Sequence, residues 1–377
     1  MPPTFPLDRL VRKEVALGLV RELVPPTTHI GVQMIAPWLE VASDDVIFDY
    51  AKGLTDGLAP ARAEDAESEL AQKDDTFVGQ GRAAIIDWAL KDHYSASDVT
   101  RYREALLVAE TVRDTMSLPL TINSMTEGWQ NKLARDTALR RRKLDNRLEW
   151  MIMQVIENGA IVYNDGKIKF TVDFGRPAGQ QNQAPPGGLW SDVGADPIRD
   201  TIAVQQFMFD TYGVPITWAI TSRRVLNSIL NSDKFSARTG LVGGTGALPV
   251  DPYYLVDGWG PNAAVEVLTR ATGIRFVEYD SVYRTRPVGS NTVTNNRFLS
   301  DNKIYFMPDF NALSDFVETE IGFAKTLTAP HPEGNWTAGF YEWERSTVDP
   351  WGYDVGTGCK MFPVFPHMEY TYTMTVL

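Results

Sequence analysis

The stretch from Asn123 to Gly175 constrains this chain more than any other. A helical pattern carrying the basic run RRRKLDNR leads directly into ENGAIVYNDGKIKFTVDFG, a strand-turn-strand signature. Ser124, followed three residues later by Glu127, makes a capping-box pattern that predicts the helix start. Trp129, Leu133, Leu144, Leu148, Met151, Val155 and Ile156 recur at helical spacing, and Asn158-Gly159 supplies the stop. The predicted helix, 124–158, spans roughly 50 Å at ~1.5 Å per residue. The hairpin 160–174 follows, turning at Asn164-Asp165-Gly166. A helix this long that ends in a small hairpin is a strut, and the apolar stripe along it is interrupted by RDTALRRRK.

The interruption is the strongest charge feature of the chain. Arg140, Arg141, Arg142, Lys143 and Arg147 read either as a solvated helix face or as a docking stripe for acidic protein or packaged nucleic acid. A complement exists upstream, in AKGLTDGLAPARAEDAESELAQKDD, which carries Glu64, Asp65, Glu67, Glu69, Asp74 and Asp75 and no aromatic residue. This segment cannot build core, so it reads as a projecting loop tip. The strand-like residues before it (32–50) and after it (76–94) make the whole a long two-stranded excursion. Such a ribbon is marginal alone and gains order by lying on another surface. The two charge sets suggest an acidic loop of one subunit lying across the basic helix of another. Reversing Arg140, Arg141 and Arg142 to Glu is then expected to impair assembly while leaving the isolated fold intact.

Flanking segments complete the organisation. Residues 7–24 form an amphipathic pattern ended by Pro25-Pro26, a short arm that must dock on its own chain or on a neighbour. A second helix begins at Ser97 and stops before Pro119. GRPAGQQNQAPPGG reads as a linker, and from Asp196 the texture becomes α/β. A helix over 197–212, the strand GVPITWAI, a helix capped by Ser222, a helix near 262–272 and the strands IRFVEYD and KIYFMP follow in order. Tyr370, Tyr372, Met374 and Val376 alternate as a strand at the terminus.

Composition narrows the chemistry. With 377 residues, 44% of them apolar, two or three structural units with a sizeable core are expected. A net charge of −12 opposes whole-protein attraction to nucleic acid or anionic membranes, although an acidic protein can enclose nucleic acid without adhering to it. One cysteine, Cys359, allows no intrachain disulfide and no cysteine-based zinc site, and it reads as a small buried hydrophobe. His29, His93, His331 and His367 are scattered, and His331 reads as a loop residue. No segment approaches the ~20 apolar residues of a membrane span, and the N-terminus has no secretory signal pattern. TGLVGGTGALP lacks the GK[ST] ending of a phosphate loop, and no GxSxG is present. No catalytic, cofactor or metal residue is assigned.

The order of parts resembles a known family. RRRKLDNRLEWMIMQVIENGAIVYNDGKIKFTVDFG is similar to the spine helix and hairpin of tailed-phage major capsid proteins with the Hong Kong 97 fold, more closely those of the phage lambda capsid protein family. LWSDVGADPIRDTIAVQQFMFDTYGVPITWAITSRRVLNSI resembles the opening of their apical domain, and DPW with PVFPHMEYTYTMTVL resembles their C-terminal return. The resemblance covers most of the chain from about residue 32. It implies an α+β Hong Kong 97 fold: an N-arm at 1–31, an E-loop at 32–95 and a P domain at 96–189. An A domain follows at 190–335, and residues 336–377 return to the P domain with the C-terminal strand. It further implies a non-enzymatic shell subunit of a double-stranded DNA phage that forms hexamers and pentamers. A separate scaffolding protein and a portal would be partners, with a decoration protein in some relatives. The competing readings are a soluble α/β enzyme with an N-terminal oligomerisation region, and a tail or connector component.

Overall fold

The computed structural model describes residues 13–52, 77–100, 120–166, 168–192, 194–230, 232–238, 265–286, 291–310, 322–349 and 351–377. Helix α1 (Lys13–Glu22) and a single π-helical turn (Gly31–Ile35) precede strands β1 (Trp38–Glu40), β2 (Asp45–Lys52), β3 (Phe77–Ala84) and β4 (Asp87–Ser95). The spine helix α2 (Leu120–Asn158) runs into the hairpin β5 (Ala160–Asn164) and β6 (Lys169–Asp173). Next come α3 (Pro197–Tyr212), β7 (Ile216–Thr221), α4 (Arg223–Leu230), α5 (Asp233–Arg238) and a helix over 265–272. Strands β8 (Arg275–Glu278), β9 (Val282–Thr285), β10 (Thr294–Arg297) and β11 (Lys303–Pro308) follow. The chain closes with β12 (Lys325–Thr328), β13 (Pro330–His331), β14 (Thr337–Ala338), β15 (Phe340–Val348), β16 (Trp351–Val364) and β17 (Tyr372–Thr375). The described residues fall into two compact units, one within 1–46, 82–149 and 326–364, the other within 47–81, 150–325 and 365–377.

In the first unit β16 is the centre. It pairs antiparallel with β15 from Trp351 to Cys359 and with β4 from Gly352 to Lys360, while β1 pairs parallel with β12 farther along the sheet. Gly356 and Gly358 sit opposite Trp343 and Tyr341, and a Cβ at either glycine would lie 2.3 Å and 2.4 Å from those rings. The glycines therefore let two large aromatic side chains lie flat across the central strand. Cys359 is fully buried, as expected, and burial pushes its thiol far above the ordinary range.

The expected excursion is shorter than 32–95. Its strands β2 and β3 pair with each other, whereas β4 is an integral strand of the β16 sheet. The acidic residues Glu64 to Asp75 lie outside the described residues, as does most of the helix expected to begin at Ser97, of which 96–100 is described as helical.

The second unit is α/β. Its sheet has the order β17-β11-β7-β8, with β7 and β8 parallel and the remaining pairs antiparallel. Helix α3 has the predicted bounds because Asp196 accepts from the Arg199 amide at 3.2 Å, Pro197 opens the first turn and Gly213 closes the last in a left-handed conformation. Ser222 caps α4 through the Val225 amide at 3.2 Å. The buried Trp190 indole donates to Asp200 of α3 at 3.0 Å. Trp190, Met208, Leu226, Ile229, Phe235, Ile304, Phe306 and Met374 belong to one apolar core.

One placement corrects the expectation. The C-terminal strand does not return to the spine-helix sheet; β17 pairs with β11 from Tyr372 to Thr375 in the α/β sheet. It is an edge strand of this sheet, with Met374 and Val376 fully buried in the core.

Candidate functional site

The spine helix is the candidate site, because the basic run and the docked N-terminal segment meet on it. Among the described residues it runs from Leu120, upstream of Ser124, so the capping-box residues lie inside the helix. The full helix has 39 residues, about 58 Å at ~1.5 Å per residue. It ends as predicted at Gly159, whose φ of 69° is left-handed and whose amide donates to the Val155 carbonyl at 2.7 Å.

The apolar stripe is not interrupted where the sequence turns polar. Thr137, Arg140, Arg141, Asp145 and Glu149 continue its phase between Leu133, Leu144 and Leu148, and all of them are buried. Arg140 is 1% exposed. Its guanidinium donates to Asp92 of β4 at 2.7 Å, Glu342 of β15 at 2.9 Å, Thr357 of β16 at 3.0 Å and Thr137 of its own helix at 2.8 Å. One side chain thus fastens the helix to three strands. Burial opposes its charge, but the bond to Asp92 and the charge of Glu342 outweigh that and hold its pKa above the ordinary value. Burial pushes Glu342 up, against the pull of Arg140.

Arg141 is also buried. It pairs with Asp145 one turn on at 3.0 Å, donates to the Val20 carbonyl at 2.9 Å and lies 3.2 Å from the Phe340 ring centroid. Burial raises Asp145, an effect that the neighbouring Arg141 charge opposes. Glu149 accepts from the amides of Gly31 and Val32 at 3.1 and 3.0 Å and so caps the π-helical turn. The described part of the arm therefore docks on its own chain, held by one cation and one carboxylate of the spine helix. His29 is buried between these anchors, and burial, with a contribution from Arg142, lowers its pKa to about 4.

The five basic residues proposed as one docking stripe thus separate. Arg140 and Arg141 are internal and unavailable to a neighbour, because the carboxylates and carbonyls of their own chain surround them. Arg142 and Lys143 are exposed, and Arg147 is half-buried with its guanidinium 5.4 Å from the Trp88 ring centroid. The internal partners Asp92, Glu342, Thr357 and Glu149 escaped the sequence reading. The available signal was the unbroken i, i+3, i+4 phase through the polar run. Arg176 was missed as well. It is buried and donates to the Ile156 and Glu157 carbonyls at 2.8 and 3.3 Å, closing the helix C-terminus. Burial lowers its pKa to about 10, which leaves it charged at neutral pH.

Among the described residues, no group of three or more His, Cys, Asp or Glu side chains is placed to hold a metal ion, and no helix is long and apolar enough to cross a membrane. The buried charged groups of the spine helix, Arg140, Arg141 and Glu149, are used for internal fastening.

Solved structures share the fold. The chain matches a putative prophage capsid protein of E. coli CFT073 with a TM-score of 0.58 at 13% identity, covering 97% of this chain and 99% of that one. It matches a phage-related protein of Bordetella bronchiseptica RB50 with a TM-score of 0.51 at 14% identity, covering 97% of each chain. The fold is the mixed helix-strand Hong Kong 97 fold of phage capsid proteins. The phage major capsid protein E family model matches residues 20–376, and the chain belongs to that family. No curated protein matches the sequence. The enzyme reading and the tail or connector reading give way to a capsid subunit.

Proposed function

We propose that the protein is the shell subunit of a tailed double-stranded DNA phage and assembles with copies of itself as hexamers and pentamers. The match to the capsid family over residues 20–376 carries this reading. Residues 1–31 serve as the N-arm. The excursion built on β2 and β3 serves as the E-loop. The spine helix with the β16 sheet serves as the P domain, and the α/β unit as the A domain around a capsomer axis. Many copies of a modest contact sum to a stable shell. The net charge of −12 suits a container that does not adhere to its DNA.

The subunit acts without catalysis. A separate scaffolding protein and a portal set shell size and opening, a decoration protein joins in some relatives, and assembly takes place in the host cytoplasm before the shell becomes part of the virion. The exposed Arg142 and Lys143, with Arg147 beside them, contact the acidic segment Glu64, Asp65, Glu67, Glu69, Asp74 and Asp75 of a neighbouring copy.

Expression with the neighbouring phage proteins, followed by negative-stain electron microscopy, tests the reading. Uniform shells or capsomer rings are expected. A persistent monomer or small oligomer that turns over a small molecule would sink it.

A further inference from the structure

Trp336 stands apart from the other large side chains. It is 72% exposed and its backbone φ is 58°, directly after Asn335 at 59°. Asparagine tolerates the left-handed region; a bulky aromatic residue there is an outlier that the surrounding structure must impose. Glycine fits such a position without strain.

The surroundings do impose it. The Trp336 amide donates to the His331 carbonyl at 3.2 Å and the Asn335 amide to the Pro332 carbonyl at 3.1 Å. The Thr337 hydroxyl donates to the Gly334 carbonyl at 2.6 Å. Strands β13 and β14 close the base, and the His331 ring stacks on Tyr341 with centroids 3.9 Å apart. Arg21 of α1 adds a brace from outside the loop. It donates to the carbonyls of Gly334 and Phe340, each at 3.1 Å, and to the Thr337 hydroxyl. The loop is fixed on every side, and its largest apolar group points to solvent.

A rigid, convex aromatic side chain has the character of an anchor for another macromolecule. It cannot enclose a small molecule, which needs a concavity. It does not suit nucleic acid, because stacking on an aromatic works within a cationic groove. The nearby cations are engaged, Arg21 on backbone carbonyls and Arg345 with Glu333 at 3.7 Å. A capsid subunit has one partner that is always at hand, another copy of itself.

We infer that Trp336 is a preorganised anchor that inserts into a second copy of this chain in the shell, and that Arg21 is the positioning residue coupling α1 docking to its presentation. The inference rests on the capsid-subunit reading above.

The full chain, expressed with its phage neighbours, supplies shells and unassembled subunits for hydroxyl-radical footprinting read by mass spectrometry. Trp336 oxidation is expected to fall at least fivefold in shells with the scaffolding protein removed. Trp336→Gly should keep the thermal midpoint of the free subunit, since it relieves the left-handed strain, and lower shell yield at least tenfold. Arg21→Ala should give a smaller loss of yield together with faster amide exchange over 332–339. Wild-type shells in which Trp336 oxidises as in the free subunit, or full shell yield from Trp336→Gly, would overturn the anchor alone and leave the capsid reading standing. Protection seen only while scaffolding protein is present, or in free subunits on phosphatidylglycerol vesicles, would assign the tryptophan to another partner and overturn it too. Absence of any wild-type shell would remove the capsid reading and the anchor with it.

Discussion

The two halves of the spine helix are buried with different chemistry. Up to Glu149 the buried positions include Thr137, Arg140, Arg141, Asp145 and Glu149; from Trp150 on they include Met151, Ile152, Met153, Val155 and Ile156. The apolar half is stabilised by contacts that fall off gradually when a methyl group is lost. The polar half depends on charges whose removal leaves a partner stranded in a dry environment. The first arrangement tolerates repacking, while the second admits one set of partners and so fixes which strands and which arm residues the helix meets.

The contrast is tested most severely at its centre. Arg140→Ala is expected to destabilise the unassembled subunit by about 3–5 kcal/mol, because Glu342 then stays buried without its cation. Urea unfolding followed by amide exchange over 340–364 measures this. If Arg140→Met costs nearly as much as Arg140→Ala, the effect lies in the stranded charge rather than in the space. In the apolar half, Ile152→Ala is expected to lose about 2–5 kcal/mol and Ile152→Val about 0.5–1.5. A graded response at Ile152 beside an all-or-none response at Arg140 sustains the comparison; equal grading at both would break it.

Acid provides a third test, confined to the polar half. His29 titrates near 6.5 when unfolded and about 4 when docked, so the unfolded state binds the proton first. The stability it supports is therefore complete above pH 6.5 and is lost as pH falls from there toward 4. The loss is on the order of 3–4 kcal/mol at about 1.4 kcal/mol per unit. Amide exchange of residues 17–36 should accelerate over that window, and His29→Gln should flatten the response. Arg142→Glu should narrow the window from below, since the Arg142 charge is part of what depresses His29.

The smallest effect on the fold is expected at the exposed cations. Arg142→Glu with Lys143→Glu should change subunit stability by no more than about 0.5 kcal/mol, apart from the acid window. Shell yield should fall if these residues meet the acidic segment of a neighbour, and an unchanged yield would rule the contact out. The triple reversal of Arg140, Arg141 and Arg142 is a poorer experiment than the sequence suggested, because two of its three targets hold the fold together.

Most of the helical framework was readable because its signals are local. Gly159 ends the spine helix and Asp196, Pro197 and Gly213 bound α3 through atoms only a few residues apart. The spine helix extends upstream of its sequence signal, because the capping-box pattern at Ser124 and Glu127 lies inside it and not at its start. The β15–β16 hairpin was passed over because Gly356 and Gly358 break the apolar pattern of β16, and only the fold shows Trp343 and Tyr341 lying across them.

By itself the sequence determined a long helix with a hard stop and a hairpin, an α/β unit in a set order, and a likeness to capsid subunits. All of these follow from periodicity, caps and motif order along the chain. Only the tertiary structure decided the fate of the charges, the sheet that receives the last strand and the left-handed pose of Trp336. Arg140 is basic in any reading, but whether it is solvated or buried depends on Glu342, 202 residues away. The desolvation that decides between those states belongs to the packed environment and not to the residue.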